Sequence, residues 1–111
     1  MYLLIGCDDF GFAMLRELQE RKVFTIVMDD DERRIEYLRR LGFKEEETLL
    51  VDFNSPDFLS KVGMESVRVV IITLDDFEKI KRVLSAINKL KESSRYPKID
   101  PVVIVRVEDE A

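Results

Sequence analysis

Histidine and tryptophan are absent from this 111-residue chain, and cysteine occurs once, as Cys7. Without His, imidazole acid–base catalysis and the common zinc sites fall away, and a lone Cys permits neither an intrachain disulfide nor a Cys-based zinc site. Side-chain amides are scarce as well, being limited to Gln19, Asn54 and Asn88. Set against 37% charged residues, so few thermolabile amides fit the composition of a hyperthermophile's protein. An excess of positive charge is also missing: 18 Lys and Arg face 23 Asp and Glu, a formal net charge of -5. That balance argues against a nucleic-acid binder, which needs clustered positive charge. No apolar run approaches the ~18 residues of a membrane span, so direct membrane insertion is not expected. Met1 leads at once into Tyr2-Leu3-Leu4-Ile5, so no signal peptide is expected and a cytoplasmic protein is predicted.

What is present is enough for one folded unit. With 46% hydrophobic residues, the chain can build a single core, read as one domain over residues 1–111. Five compact apolar runs rich in β-branched residues predict strands: Tyr2 to Ile5, Val23 to Met28, Thr48 to Val51, Val67 to Ile72 and Val102 to Val107. Most are nearly continuous rather than alternating, as in a parallel sheet covered on both faces. Between them, Phe10, Met14, Leu15 and Leu18 recur at helical spacing, as do Ile35, Leu38 and Leu41, and then Ile80, Val83, Leu84, Ile87 and Leu90. A shorter helix is predicted after Ser55-Pro56-Asp57, with Ser55 as N-cap and Pro56 at the first helical position. Asp75 or Asp76 suits the cap of the last helix. Gly42 and Gly63 stand where the second and third helices should end in a left-handed residue. The β-α-β-α-β-α-β-α-β order predicts a Rossmann-like three-layer α/β/α fold with a five-stranded parallel sheet of order 3-2-1-4-5.

In such a sheet ligands bind beyond the carboxyl ends of the strands, close to the first strand. Gly6 to Gly11, Asp29 to Asp31, Asp52 to Asn54 and Thr73 to Asp76 converge there. Gly6 and Gly11 match the first and third glycines of G-x-G-x-x-G, but Asp8 replaces the middle one. At roughly 5 Å and a dielectric near 20, an unpaired Asp8 or Asp9 would repel a phosphate charge by on the order of 3 kcal/mol, unless it turns away or a cation bridges it. Alternatively the two glycines serve only the tight turn and close helix packing, with Asp8 or Asp9 capping the helix. Asp29, at the end of the second strand, can accept from the hydroxyls of an adenosine ribose and would disfavour the extra phosphate of NADP. Asp31 suits the cap of the second helix. Asp52 can meet an adenine amino group or loop amides, and Thr73 can offer its hydroxyl or simply finish the fourth strand.

The same carboxylates, Asp8, Asp9 and Asp29 to Asp31, offer a second chemistry, oxygen coordination of Ca²⁺ or Mg²⁺, although no EF-hand spacing supports it. Cys7 has no basic neighbour in sequence to activate it and reads as a small hydrophobe. Met and Phe positions on the helix faces read as core.

Taken in order, Ile5-Gly6-Cys7-Asp8-Asp9-Phe10-Gly11, Met28-Asp29-Asp30-Asp31-Glu32-Arg33-Arg34, Val51-Asp52-Phe53-Asn54 and Ile72-Thr73-Leu74-Asp75-Asp76 resemble the N-terminal Rossmann domain of Trk-type potassium-uptake regulators, the TrkA-N, RCK or KTN family. Val105-Arg106-Val107-Glu108-Asp109 is similar to that family's segment after the fifth strand. The resemblance implies binding of NAD(H) or an adenine nucleotide. Gly6 and Gly11 would border the pyrophosphate, Asp29 would take the ribose, and Asp52 and Thr73 would lie near the nucleotide. It adds Asp8, Asp9, Phe10, Asp30 and Phe53 to the nucleotide-binding set. This chain departs from the pattern at Asp8, where the family has Gly, and at Asp9 and Asp30, where it often has basic residues. The implied protein is a regulator without catalysis of its own, a homodimer or larger ring acting on a membrane potassium channel or transporter subunit. Because family members continue to a sixth strand and a helix, the sequence reads as a piece of a longer chain. Similar domains also precede DHH-type phosphoesterase modules, so the alternative is a sensory or docking domain with a degenerate site. A nicotinamide oxidoreductase fits least, since no substrate domain or acid/base residue is present.

Overall fold

A computed structural model describes residues 1–106. Strands β1 (Tyr2–Ile5), β2 (Thr25–Asp29), β3 (Thr48–Leu50), β4 (Val69–Ile72) and β5 (Val102–Val105) form one sheet of order β3-β2-β1-β4-β5. Every pairing is parallel. Three α-helices lie between strands: α1 (Asp9–Glu20), α2 (Glu32–Arg40) and α3 (Phe77–Ser93). The register fixes where the site must be. Ile5 pairs with both Met28 and Ile72, and Ile72 pairs with Val105. The next residues of four strands, Gly6, Asp29, Thr73 and Arg106, therefore emerge side by side at one edge.

Two apolar clusters flank the sheet. Leu4, Cys7, Leu15, Leu18, Val27, Leu38 and Ile71 pack under α1 and α2. On the opposite face, Leu3, Ile5, Met28, Val70 and Ile72 meet Val83 and Ile87 of α3. Side chains alternate between the faces, so each central strand feeds both layers.

The third crossover differs from the sequence expectation. In place of a helix, the 3₁₀ turns Phe58–Lys61 and Met64–Ser66 carry the chain to β4. Only six residues separate Pro56 from Gly63, too few for a stable helix. Phe53, Phe58, Leu59, Val62, Met64 and Val67 instead cap the core as an irregular plug. Ser55 does not cap a helix; its hydroxyl donates to Asp57. Gly63 has φ -73, so no left-handed ending exists there, whereas Gly42 has φ 104 as expected. The strands β2 and β4 start two residues later than the apolar runs suggest, and Val107 lies outside the described residues.

Three acidic N-caps open the helices. Asp8 accepts from Gly11 N–H, Asp31 from Arg33 N–H, and Asp76 from the N–H groups of Glu78 and Lys79. Each satisfies amides that a first helical turn leaves unpaired. Among the described residues, no helix is long and apolar enough to cross a membrane.

Candidate functional site

The turn from β1 into α1 is held by contacts that exclude side chains. Gly6 has φ 101, and a Cβ placed on it would lie 2.7 Å from Thr73 Oγ1. A Cβ on Gly11 would lie 2.4 Å from Gly6 O. Both positions require glycine, one for its left-handed backbone as well as for space. Thr73 is fully buried and its hydroxyl donates to Gly6 O at 2.7 Å. It ties the end of β4 to the turn and faces away from solvent.

Asp8 sits at the middle position of the glycine motif. One carboxylate oxygen accepts from Gly11 N–H at 2.9 Å and the other meets Arg106 Nη1 at 2.9 Å. The Arg106 guanidinium also lies over the Phe10 ring, 4.6 Å from its centroid. Phe10 is 45% exposed, so it belongs to the surface of the edge and not to the core. The bridging cation that a paired Asp8 requires is thus supplied by the segment following β5. Asp9, the first residue of α1, is exposed.

Asp29 is completely buried at the end of β2. Its oxygens accept from Cys7 N–H at 2.7 Å and Asp31 N–H at 2.9 Å, and Arg34 Nη1 stands 3.5 Å away. Burial raises its pKa despite those two amides and Arg34, each of which pulls the other way. Burial lowers the Arg34 pKa, but Asp29 and Asp31 outweigh it and the net shift is upward. Cys7 is pushed up to about 12, first by burial and then by Asp29, so its thiol is inert near neutral pH. Asp30 leaves the β2 turn in the other direction and pairs with Lys79 of α3 at 2.7 Å. That hydrogen bond is the main cause of the raised Lys79 pKa.

The loop after β3 stands apart. Asp52 is exposed and accepts from Asn54 N–H at 2.9 Å, closing its own turn. Phe53 is buried and meets Phe58 edge-to-face at 5.3 Å, which makes it part of the core plug. Of the ten residues singled out from sequence, Gly6, Asp8, Asp9, Phe10, Gly11, Asp29 and Asp30 lie at the carboxyl edge of the sheet. There Asp8 and Asp9 line the space between α1 and α2, Phe10 lies under Arg106 and Asp30 turns to α3. Thr73 supports that edge from beneath, Asp52 caps a neighbouring loop, and Phe53 turns inward.

A cavity of about 420 Å³ opens between α1 and α2, lined by Cys7, Asp8, Asp9, Phe12, Arg33, Arg34 and Tyr37. Sequence reasoning assigned no role to Phe12, Arg33, Arg34 or Tyr37. Their signal was there: two arginines directly follow the acidic turn, and Tyr37 lies four residues after Arg33, on the same helix face. Phe12 and Tyr37 also touch each other, with ring centroids 5.8 Å apart. Paired aromatic faces beside guanidinium groups suit a planar anionic ligand.

Cations counter the acidic cluster: Asp8 has Arg106, Asp29 and Asp31 have Arg34, and Asp30 has Lys79. Among the described residues, no group of three or more His, Cys, Asp or Glu side chains converges on a metal position. The oxygen-ligand chemistry considered for this cluster therefore has no supporting geometry.

Residues 2–111 match the TrkA-N domain family. A comparison with curated proteins returns no match. Among solved structures, the chain is similar to the NAD(P)-binding domain of an exopolyphosphatase-related protein from Archaeoglobus fulgidus. The two are 26% identical with a TM-score of 0.77, over 98% of this chain and 74% of that one. It is also similar in fold to the TrkA-N domain of the inner membrane protein ybaL from Escherichia coli, at 20% identity and a TM-score of 0.71, covering 94% and 70% of the respective chains.

Proposed function

The chain belongs to the TrkA-N domain family, and on that footing we propose that it is the nucleotide-binding regulatory module of a potassium-transport system. It senses NAD(H) or an adenine nucleotide at the α1–α2 edge and performs no chemistry itself. The observation that carries this reading is the Gly6–Gly11 turn, fixed by two obligate glycines, whose Cys7, Asp8 and Asp9 line a cavity of ligand size. Dinucleotide binding is further supported by the likeness to an NAD(P)-binding domain at 26% identity.

In this reading the domain works as a homodimer or larger ring at the cytoplasmic face of a channel or transporter subunit. Ligand binding in the cleft shifts the geometry of the pair, and the partner reads that shift. Exposed Val102 and Ile104 on the edge strand β5 leave an apolar surface available for such association.

Calorimetry with NADH, ATP and AMP tests the ligand. Micromolar binding of any of them or of their 2′-phosphorylated forms supports the reading, and silence from all of these overturns it. A second architecture is favoured by one observation, the exopolyphosphatase-related context of the similar domain. There the module would be a sensory domain joined to a phosphoester-hydrolysing one. The reading frame beyond Ala111 and the neighbouring genes separate the two: a fused phosphoesterase module removes the potassium assignment, and an adjacent potassium-transport gene supports it.

A further inference from the structure

The pairing of charges around the α1–α2 cavity leaves a remainder. Asp29 would have to present its carboxylate to read a ribose diol, yet it is 0% exposed and already accepts two backbone N–H groups beneath Arg34. Asp30 is drawn off to Lys79, and Asp31 caps α2 while standing 3.7 Å from Arg34. On the α1 wall, Asp8 is taken up by Gly11 N–H and Arg106. Arg33 is different. It is exposed, it lines the cavity, and among the described residues no carboxylate lies within ion-pair distance of it.

In a dinucleotide fold the turn after the second strand is where the adenosine ribose is read. A presented carboxylate accepts the hydroxyls, whereas a nearby arginine accommodates a 2′-phosphate. This sequence carries both residue types, and the structure chooses between them by withdrawing the carboxylate and presenting the arginine. A guanidinium with no acid beside it offers a planar fork matched to two phosphate oxygens. Tyr37, one helical turn further on, brings an aromatic face to the same cavity.

The geometry points to a ligand whose adenosine ribose carries its own phosphate, the class of NADP(H), with Arg33 as the residue that selects it over the unphosphorylated form. This deepens the nucleotide reading above and rests on it. Asp9 also lines the cavity, from the α1 side, and weakens every phosphorylated ligand. The discrimination between ligands that differ only at the 2′ position therefore falls to Arg33.

The test is calorimetry of the 111-residue chain with two matched pairs, NADPH against NADH and 2′,5′-ADP against 5′-AMP. Tenfold or greater preference for the phosphorylated member of each pair is expected. Arg33→Ala, at an exposed position, should leave the thermal midpoint unchanged and collapse the preference by weakening the phosphorylated members alone. Equal binding within each pair, tighter NADH, or a preference that survives Arg33→Ala overturns the assignment while leaving nucleotide binding intact. No binding of any of the four overturns the nucleotide reading, and this inference with it.

Discussion

The Asp8 carboxylate and the Arg106 guanidinium, 98 positions apart in the chain, meet at 2.9 Å across the carboxyl edge of the sheet. Asp8 thereby performs two separable tasks, capping α1 through Gly11 N–H and joining the β1 turn to the segment after β5. Asp8→Asn keeps a good cap and loses the ion pair, for an expected cost of about 0.5–1 kcal/mol. Asp8→Ala should cost about 1 kcal/mol more, through the missing cap. Urea unfolding of both variants measures the two terms. In 1 M salt the Asn penalty should shrink and the cap penalty should remain, because screening acts on the ion pair.

The glycines form a graded series. Gly11→Ala drives a methyl into the Gly6 carbonyl, a backbone atom that cannot rotate away, and should destabilise by about 3 kcal/mol. Gly42→Ala has open space around it but φ 104, so it should cost only the backbone strain, about 1–2 kcal/mol. Gly63→Ala has ordinary φ and meets only the movable end of Glu65, and should fall within about 0.5 kcal/mol of the parent. Denaturant midpoints of the three variants give the order directly. A Gly11→Ala variant as stable as Gly63→Ala would contradict the close packing of α1 on the turn.

Cys7 sets a limit on alkaline stability. Its thiol is raised from 9.0 to about 12 in the folded chain, so between those values the native state holds a proton that the unfolded chain has released. Its contribution is fully present below pH 9 and is lost as pH rises toward 12. Cys7→Ala should flatten the alkaline limb of a stability–pH profile. At pH 8 the native thiol should react with iodoacetamide far more slowly than the urea-unfolded chain does.

Asp29 works in the same sense at the acid end. With its folded pKa above 3.8, the native state binds the proton more readily, so its contribution falls as pH climbs through that raised value. Asp29→Asn should remove this slope. At pH 7 it should cost about 1–3 kcal/mol, since its amide nitrogen would face the Cys7 or Asp31 N–H and leave a buried donor unpaired. Urea midpoints between pH 4 and pH 7 check both statements.

The fold was readable because its signals are local and periodic. Continuous β-branched runs such as Val69 to Ile72 and the Ile80–Leu90 stripe state their structure within a few residues. The segment 56–66 was misread because Pro56 and Gly63 look like helix punctuation, while the apolar residues between them serve a plug with no period. At the site, Gly6, Gly11 and the caps Asp8 and Asp31 follow from turn and cap chemistry. Arg106 and Lys79 could not be placed, because their partners lie far away in sequence and only the strand register brings them together. Asp29 was legible as a position but not as a state. Its carboxylate is taken up by the Cys7 and Asp31 amides and by Arg34, an arrangement that no spacing rule encodes.

The contact between Gly11 and the Gly6 carbonyl leaves α1 no slack against the sheet. A helix seated that closely resists sliding or tilting against the sheet. On the proposed reading, a movement that reports occupancy would begin in α2, whose first turn carries Arg33, and in the Asp30–Lys79 link that joins this turn to α3. The glycine corner would then serve as the fulcrum, and the basic turn opposite it as the lever.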